Sequence, residues 1–235
     1  MDVTENQKAV LLATDLTARC DRALERATAL AREWDGKVTL LHIVSGTKQS
    51  ASLGDAEIAD RIRADIGETS AEVEILIGRG SVPETIARMA GSRSSDIIVT
   101  GVGRYNGLGD FLLGTAVDHI VRHAEAPVLV VKQRVRGPYR NLLVATDLSP
   151  CSVAALRAAA RLFPEATLHL VHAYHVPYEA WLNSDQVSDE VRSEAERQLH
   201  DFLWSPAFDE QLRLRVNVRL GYGELATVVA EEIER

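Results

Sequence analysis

One segment of this 235-residue chain occurs twice, and that constrains the fold more than any other feature. "VLLATDLTARCDRALERATALAREWDGKVTLLHIV" starts at Val10 and "NLLVATDLSPCSVAALRAAARLFPEATLHLVHAY" at Asn141. Asp15 answers Asp147 and His42 answers His172, at offsets of 132 and 130. Further on, "ILIGRGSVPETIARMA" from Ile75 answers "VRLGYGELATVVAEEI" from Val218, at an offset of 143. Two copies of one supersecondary unit, joined near Gln133 to Tyr139, explain the pattern. The expected domains are 1–137 and 138–235.

Within each copy, short apolar runs alternate with amphipathic ones. Val10 to Thr14 reads as a strand buried on both faces, and Lys37 to Val44, "AEVEILIG", "DIIVTG" and "APVLVVK" read as the second to fifth strands. Between them, Cys20, Ala23, Ala27, Leu30, Ala31 and Trp34 fall at helical spacing, and further helices are expected over Asp55 to Ile66, from Pro83, and over Thr115 to Ala124. In the second copy Ser149 and Pro150 form an N-cap and first-turn signal. Strands alternating with helices give an α/β architecture, a parallel sheet with right-handed crossovers and helices on both faces. On the 143 offset Arg235 answers Ser92, so the second copy stops before its fourth strand. A sheet cut there would keep an open edge, and the expectation is that the sequence is a trimmed portion of a longer protein.

Glycine-rich "GVGRYNGLGDFLLGT" links the fourth strand to the fourth helix. Gly101 leaves the strand, Gly114 lies 13 residues on, and Thr115 opens the helix. Backbone N–H groups at a helix start favour an anion, and residues without bulky side chains let phosphate approach. Asp15 ends a strand at the same edge, where ligands of open parallel sheets bind, and its carboxylate can accept from ribose hydroxyls. Asp15 and Asp147 serve equally well as loop caps, and their recurrence does not separate the two roles.

Taken together, these motifs resemble the universal stress protein family in its tandem form. The family pattern G-x2-G-x9-G-[ST], followed by "xVxxxVxxHAxxPVLVV", is matched by "GVGRYNGLGDFLLGT" and "AVDHIVRHAEAPVLVV". The resemblance implies, for each repeat, an adenine nucleotide alpha hydrolase-like, open five-stranded sheet in strand order 3-2-1-4-5, with the second repeat incomplete. It also implies a pocket for ATP or a related adenine nucleotide, with or without Mg²⁺. Ala13, Asp15 and the Ile43 backbone would lie at the nucleoside end, and Gly101, Gly114 and Thr115 would hold phosphates. Arg104 stands where the family has its second glycine, with Gly103 one place early. Either the loop slides by one residue, so that Gly103 takes the role and the Arg104 guanidinium reaches phosphate, or Arg104 closes the site. In the second case the chain would be a non-nucleotide interaction protein or scaffold. Family likeness further implies pairing of Val128 to Val131 with the same strand of a second chain, as a homodimer.

Net charge of −8 argues against a nucleic-acid or anionic-membrane surface. No run approaches the roughly 20 apolar residues of a membrane span, and the N-terminus is polar and acidic, so the expectation is a cytoplasmic protein, for which the resemblance implies a regulatory or protective stress role. No G-x-S-x-G, H-E-x-x-H, Walker A lysine or paired catalytic carboxylate is present, and no residue stands out as a general base. Turnover is expected to be absent or limited to slow ATP hydrolysis. His169, His172 and His175 alternate along a strand and so read as structural rather than as a metal tract. His119 and His123 have metal-compatible i, i+4 spacing but no evident third ligand, and read as a solvated helix face. Cys20 and Cys151 read as matching small residues on buried stripes.

Overall fold

The structure is a computed structural model and describes residues 7–18, 20–44, 54–69, 71–102, 115–175 and 185–234. The chain forms two compact units, Met1–Pro138 and Tyr139–Arg235.

In the first unit the order is β1 (Ala9–Thr14), α1 (Asp21–Glu33), β2 (Lys37–Val44), α2 (Asp55–Ile66), β3 (Val73–Arg79), α3 (Val82–Ser92), β4 (Ile97–Gly101), α4 (Thr115–His123) and β5 (Val128–Val131). All five strands run parallel in the order β3-β2-β1-β4-β5, as expected from the resemblance. The central strand β1 is flanked on both sides, and its apolar residues alternate between two buried faces, which is why no polar side chain occurs before Thr14 at its end. One face presents Leu11, Ala13, Leu41 and Ile98 to Ile86 and Ala90 of α3 and Ile120 of α4. Across the sheet, α1 packs against β1, β2 and β4. Burying a leucine such as Leu11 or Leu30, both 0% exposed, contributes roughly 1.5–3 kcal/mol.

Helix α1 also buries Arg26, which no apolar pattern predicts. Its Nη1 donates to the Gly137 carbonyl at 2.9 Å, while Arg22 Nη1 donates to the Lys132 carbonyl at 2.7 Å. Those bonds hold the segment after β5 against α1, and a charged donor makes each stronger than a neutral pair would. The "WDG" stop behaves as expected, with one refinement. Asp35 takes the left-handed conformation, at φ 48°. Gly36 is needed for proximity instead, since a Cβ there would lie 2.1 Å from the Lys8 carbonyl oxygen.

The second unit contains β6 (Asn141–Ala145), α5 (Pro150–Leu162), β7 (Thr167–Tyr174), α6 (Asp185–Leu203), α7 (Glu210–Leu214), β8 (Val216–Tyr222) and α8 (Leu225–Ile233). Its three strands are parallel in the order β6-β7-β8. The Ser149 hydroxyl caps α5 by accepting from the Ser152 N–H, with Pro150 opening the helix. The core gathers Leu156, Leu168, Leu170, Leu199, Phe202 and Phe208. Helix α6 is 19 residues long where its counterpart α2 has 12, and α7 has no counterpart among the described residues of the first unit.

Candidate functional site

At the carboxyl edge of the first sheet, strand order reverses between β1 and β4. Chain leaving β1 turns to β2 on one side, while β4 and β5 build the other, and a reversal of this kind is where open parallel sheets bind ligands, beyond the carboxyl ends of the strands. Ala13 pairs with Thr100 across the reversal, placing Ala13 and Gly101 at adjoining strand ends. Both are buried, and Ala13 keeps 4% of its surface. On the other side Thr14 pairs with His42, and Ile43 follows on β2, half-buried against the cluster that includes Leu41 and Ile86. Helix α4 begins at Thr115. Gly103, Arg104 and Gly114 lie outside the described residues, as does the Thr115 side chain.

The turn from β1 into α1 is built by side chains. Asp15 is exposed, and its Oδ1 accepts from the Thr17 N–H at 3.0 Å, from the Thr17 hydroxyl at 2.7 Å and from the Cys20 thiol at 3.3 Å. Thr14 Oγ1 accepts from the Leu16 N–H at 3.0 Å. These bonds hold Leu16 at φ 60°, a left-handed conformation that costs a non-glycine residue about 1–2 kcal/mol. His42 Nδ1 lies 3.1 Å from the Thr14 carbonyl, tying β2 to the same turn. A carbonyl only accepts, so Nδ1 carries the proton. Asp15 is thus a loop cap in fact, and its position at the rim is a separate property.

The same turn recurs in the second unit. Leu148 sits at φ 64°. Its N–H donates to Thr146 Oγ1 at 2.9 Å, and His172 Nδ1 lies 2.9 Å from the Thr146 carbonyl. Asp147 Oδ1 accepts from the Ser149 N–H at 3.0 Å and from the Ser152 hydroxyl at 2.7 Å. Ser149 and Ser152 hold the Asp147 carboxyl well below the usual carboxylate range. This geometry corrects the cysteine pairing. Ser152, not Cys151, stands in the place of Cys20, and Cys151 is exposed rather than part of a buried stripe. Burial pushes the Cys20 thiol up, so it serves as a protonated donor to Asp15 rather than as a thiolate. The threonine hydroxyls, the left-handed leucines and the histidine ties were all missed from sequence. "ATDL" in both copies, each followed by a strand histidine, was the available signal.

The rims of the two units differ. Ala145 is exposed where Ala13 is buried, because β6 pairs only with β7 among the described residues. Where the first unit has Val44 paired with Arg79, the second has Tyr174 paired with Tyr222, their rings 5.6 Å apart and edge-on. The three histidines of "HLVHAYH" part as expected. His169 lies near Asn141 and Glu232, His172 bonds Thr146, and His175 lies near Glu224. Among the described residues no three ligating side chains cluster for a metal, and no helix is long and apolar enough to cross a membrane. His119 departs from the expected solvated face, being half-buried and stacked on His123.

Comparison with known proteins places this geometry. A sequence model described as the universal stress protein family matches residues 7–132. A Staphylococcus aureus protein provisionally named a universal stress protein is 29% identical over 156 residues, covering 60% of this chain and 94% of its own. A universal stress protein structure from Archaeoglobus fulgidus superposes with a TM-score of 0.60 at 18% identity, covering 98% of this chain and 82% of its own. A Pseudomonas aeruginosa structure provisionally given the same name has a TM-score of 0.58 at 16% identity, covering 99% of this chain and 81% of its own.

Proposed function

The chain belongs to the universal stress protein family, and from that premise we propose that its first unit binds ATP or a related adenine nucleotide and responds to it as a cytoplasmic regulatory or protective stress protein. The observation that carries this reading is the reversal of strand order between β1 and β4, where open parallel sheets bind ligands. Ala13 and Gly101, both small and buried, stand at the adjoining strand ends there, and a helix begins at Thr115. The exposed Asp15 carboxylate at the rim suits ribose hydroxyls, and the Ile43 backbone suits the adenine edge. By type the loop residues suit a polyphosphate: Gly103 and Gly114 carry no side chain, Thr115 brings a hydroxyl, and Arg104 brings a guanidinium of the kind that pairs with phosphate oxygens. The nucleotide, when bound, supplies a charged polyphosphate whose presence the loop reports. Asp15 orients the nucleoside, and Arg104 neutralises charge. No residue stands out in the sequence as a general base, and the reading proposed is of a binder with at most slow hydrolysis.

Pairing with a second copy along Val128 to Val131 belongs to the same proposal. β5 is the last strand of its sheet, and Val128, Leu129 and Val130 are half-buried rather than buried within the unit.

Calorimetric titration of the full chain with ATP, with and without Mg²⁺, tests the reading. Saturable binding that weakens about tenfold or more in Arg104→Ala supports it, since a charge-assisted contact is worth about 1.5–3 kcal/mol. No binding in the unaltered protein, or binding that strengthens when Arg104 is removed, overturns the role given to Arg104. In the first of those outcomes the chain is an interaction protein on this fold.

A further inference from the structure

The outer edge of the second sheet has no part in the nucleotide reading. β8 is the last strand of that sheet and pairs only with β7 among the described residues. Its counterpart at the edge of the first sheet, β3, packs against α2, and its apolar residues are half-buried. Glu74 on β3 is also held by both guanidinium nitrogens of Arg93. In the second unit α6 packs against β7, and Val218 and Tyr222 are left 50% and 48% exposed. They stand either side of Leu220 on one face of β8. Hydrogen bonds fix which main-chain groups point outward. The Gly223 N–H donates to the Tyr174 carbonyl at 3.0 Å, and the Leu168 N–H donates to the Arg215 carbonyl at 3.0 Å. In a parallel ladder the N–H and C=O of one residue point the same way, and the direction alternates along the strand. Arg215, Asn217, Arg219, Gly221 and Gly223 therefore face β7, while Val218, Leu220 and Tyr222 present theirs to the open edge. The usual guards of an edge strand are missing. β8 has no lysine or proline, and its register with β7 is unbroken. Its one charged side chain, Arg219, shares a face with Gly221 on the α8 side, with Nε 3.8 Å from Glu232 Oε2.

We propose that this edge pairs with β8 of a second copy, antiparallel about a two-fold axis at Leu220, joining the two second-unit sheets into one. Leu220 faces its twin, and Val218 faces the partner's Tyr222. Directly opposed residues of this kind exchange both N–H···O bonds, so the outward groups of Val218, Leu220 and Tyr222 are all satisfied. The two exposed apolar side chains cover each other as an aromatic–β-branched pair, and symmetry makes that pair twice. Arg219 meets the partner's Gly221, which brings neither a like charge nor a side chain. A register centred on Arg219 would oppose two guanidiniums and face outward groups with inward ones. One centred on Val218 would leave Tyr222 opposite Leu214, which belongs to α7. A seam from Val218 to Tyr222 falls short of the roughly 1,000 Å² of a stable interface, so the pair is reversible and forms as concentration rises.

Amide hydrogen exchange of the unaltered full chain, followed by NMR from micromolar to millimolar protein, tests the proposal. Exchange at Val218, Leu220 and Tyr222 should slow together by about tenfold or more as the dimer fills, while Arg219 and Gly221, already bonded to β7, change little. Isotope-filtered NMR should show the Val218 methyls of a labelled chain close to the Tyr222 ring of an unlabelled one. Val218→Lys, at a half-exposed position where the second unit should stay folded, should abolish the slowing. Exchange at the three amides that ignores concentration overturns the proposal. Fast throughout means an open edge, and slow throughout means an edge covered within one chain. Slowing that survives Val218→Lys, or that comes without the contact between Val218 and Tyr222, overturns it too. The amides of Val128 to Val131 report the other pairing separately, so either edge can fail alone, and neither result depends on ATP.

Discussion

Replacing Gly221 by alanine should destabilise the second unit far more than the matching change at Gly78 destabilises the first. Gly221 pairs with Ala173 on β7 and faces α8. A Cβ at 221 would lie 2.2 Å from Val228 Cγ1, 2.7 Å from Cγ2 and 3.0 Å from Cβ. Carbon atoms settle at about 3.5–4.0 Å, and because the Val228 Cβ itself is too close, no rotamer of Val228 escapes. Val228 is 1% exposed, so α8 as a whole must retreat. Overpacking costs typically 1–3 kcal/mol, and a clash with three atoms of one buried side chain puts Gly221→Ala near the top, about 3 kcal/mol. At about 4–8 °C per kcal/mol for a unit of this size, the melting temperature should fall by roughly 12–24 °C. At Gly78 the corresponding contacts are 3.0 Å to Thr85 Cγ2, 3.1 Å to Ile43 Cγ1 and 3.3 Å to Leu41 Cδ1. These are side-chain ends that yield by a few tenths of an ångström, so Gly78→Ala should cost under about 1 kcal/mol. Hydrogen exchange at β7 and β8 amides, with thermal unfolding, reads both changes locally. The double variant Gly221→Ala, Val228→Ala should regain most of the loss, since contacting sites are not additive. A Gly221→Ala protein as stable as the parent, or a double variant whose losses simply add, refutes the packing argument.

Acid sensitivity should map to Asp147. Its carboxyl titrates below the unfolded value, so its contribution is present above about pH 4, the unfolded pKa. It is lost as pH falls through the lower folded value, and Asp147→Asn should flatten the acid limb of an unfolding curve followed at β6 and α5 amides. A limb of unchanged slope contradicts this. Iodoacetamide should label Cys151 well before Cys20, read by peptide mass, because burial holds the Cys20 thiol protonated and Cys151 is exposed. Cys20→Ser should leave the turn intact, since Ser152 plays that part in the second unit; a large loss of stability contradicts the shared role. Val130→Lys should leave the protein folded and monomeric by sedimentation if β5 pairs with a second copy; a parent protein already monomeric removes the proposal.

Strand and helix alternation was legible because parallel strands buried on both faces write unbroken apolar runs. β2, over Lys37–Val44, and α2, over Asp55–Ile66, begin and end where the sequence places them. Strand order was carried by the resemblance and not by any run of residues, since hydrophobic pattern is blind to which strands are neighbours. Arg26 was illegible because a buried guanidinium depends on a carbonyl 111 residues away, at Gly137. Cys20 was matched to the wrong partner because residue type was compared, whereas the position relative to Asp15 decides which side chain reaches the carboxylate. The stacking of His119 on His123 needed the helix in three dimensions, since spacing alone does not distinguish a solvated pair from a half-buried one.

Native mass spectrometry of the protein, purified gently and without added nucleotide, bears most directly on the central claim. The account predicts a protein carrying one adenine nucleotide, released on unfolding and restored by ATP. A bare chain that stays bare with millimolar ATP and Mg²⁺, and shows no thermal shift, would contradict it.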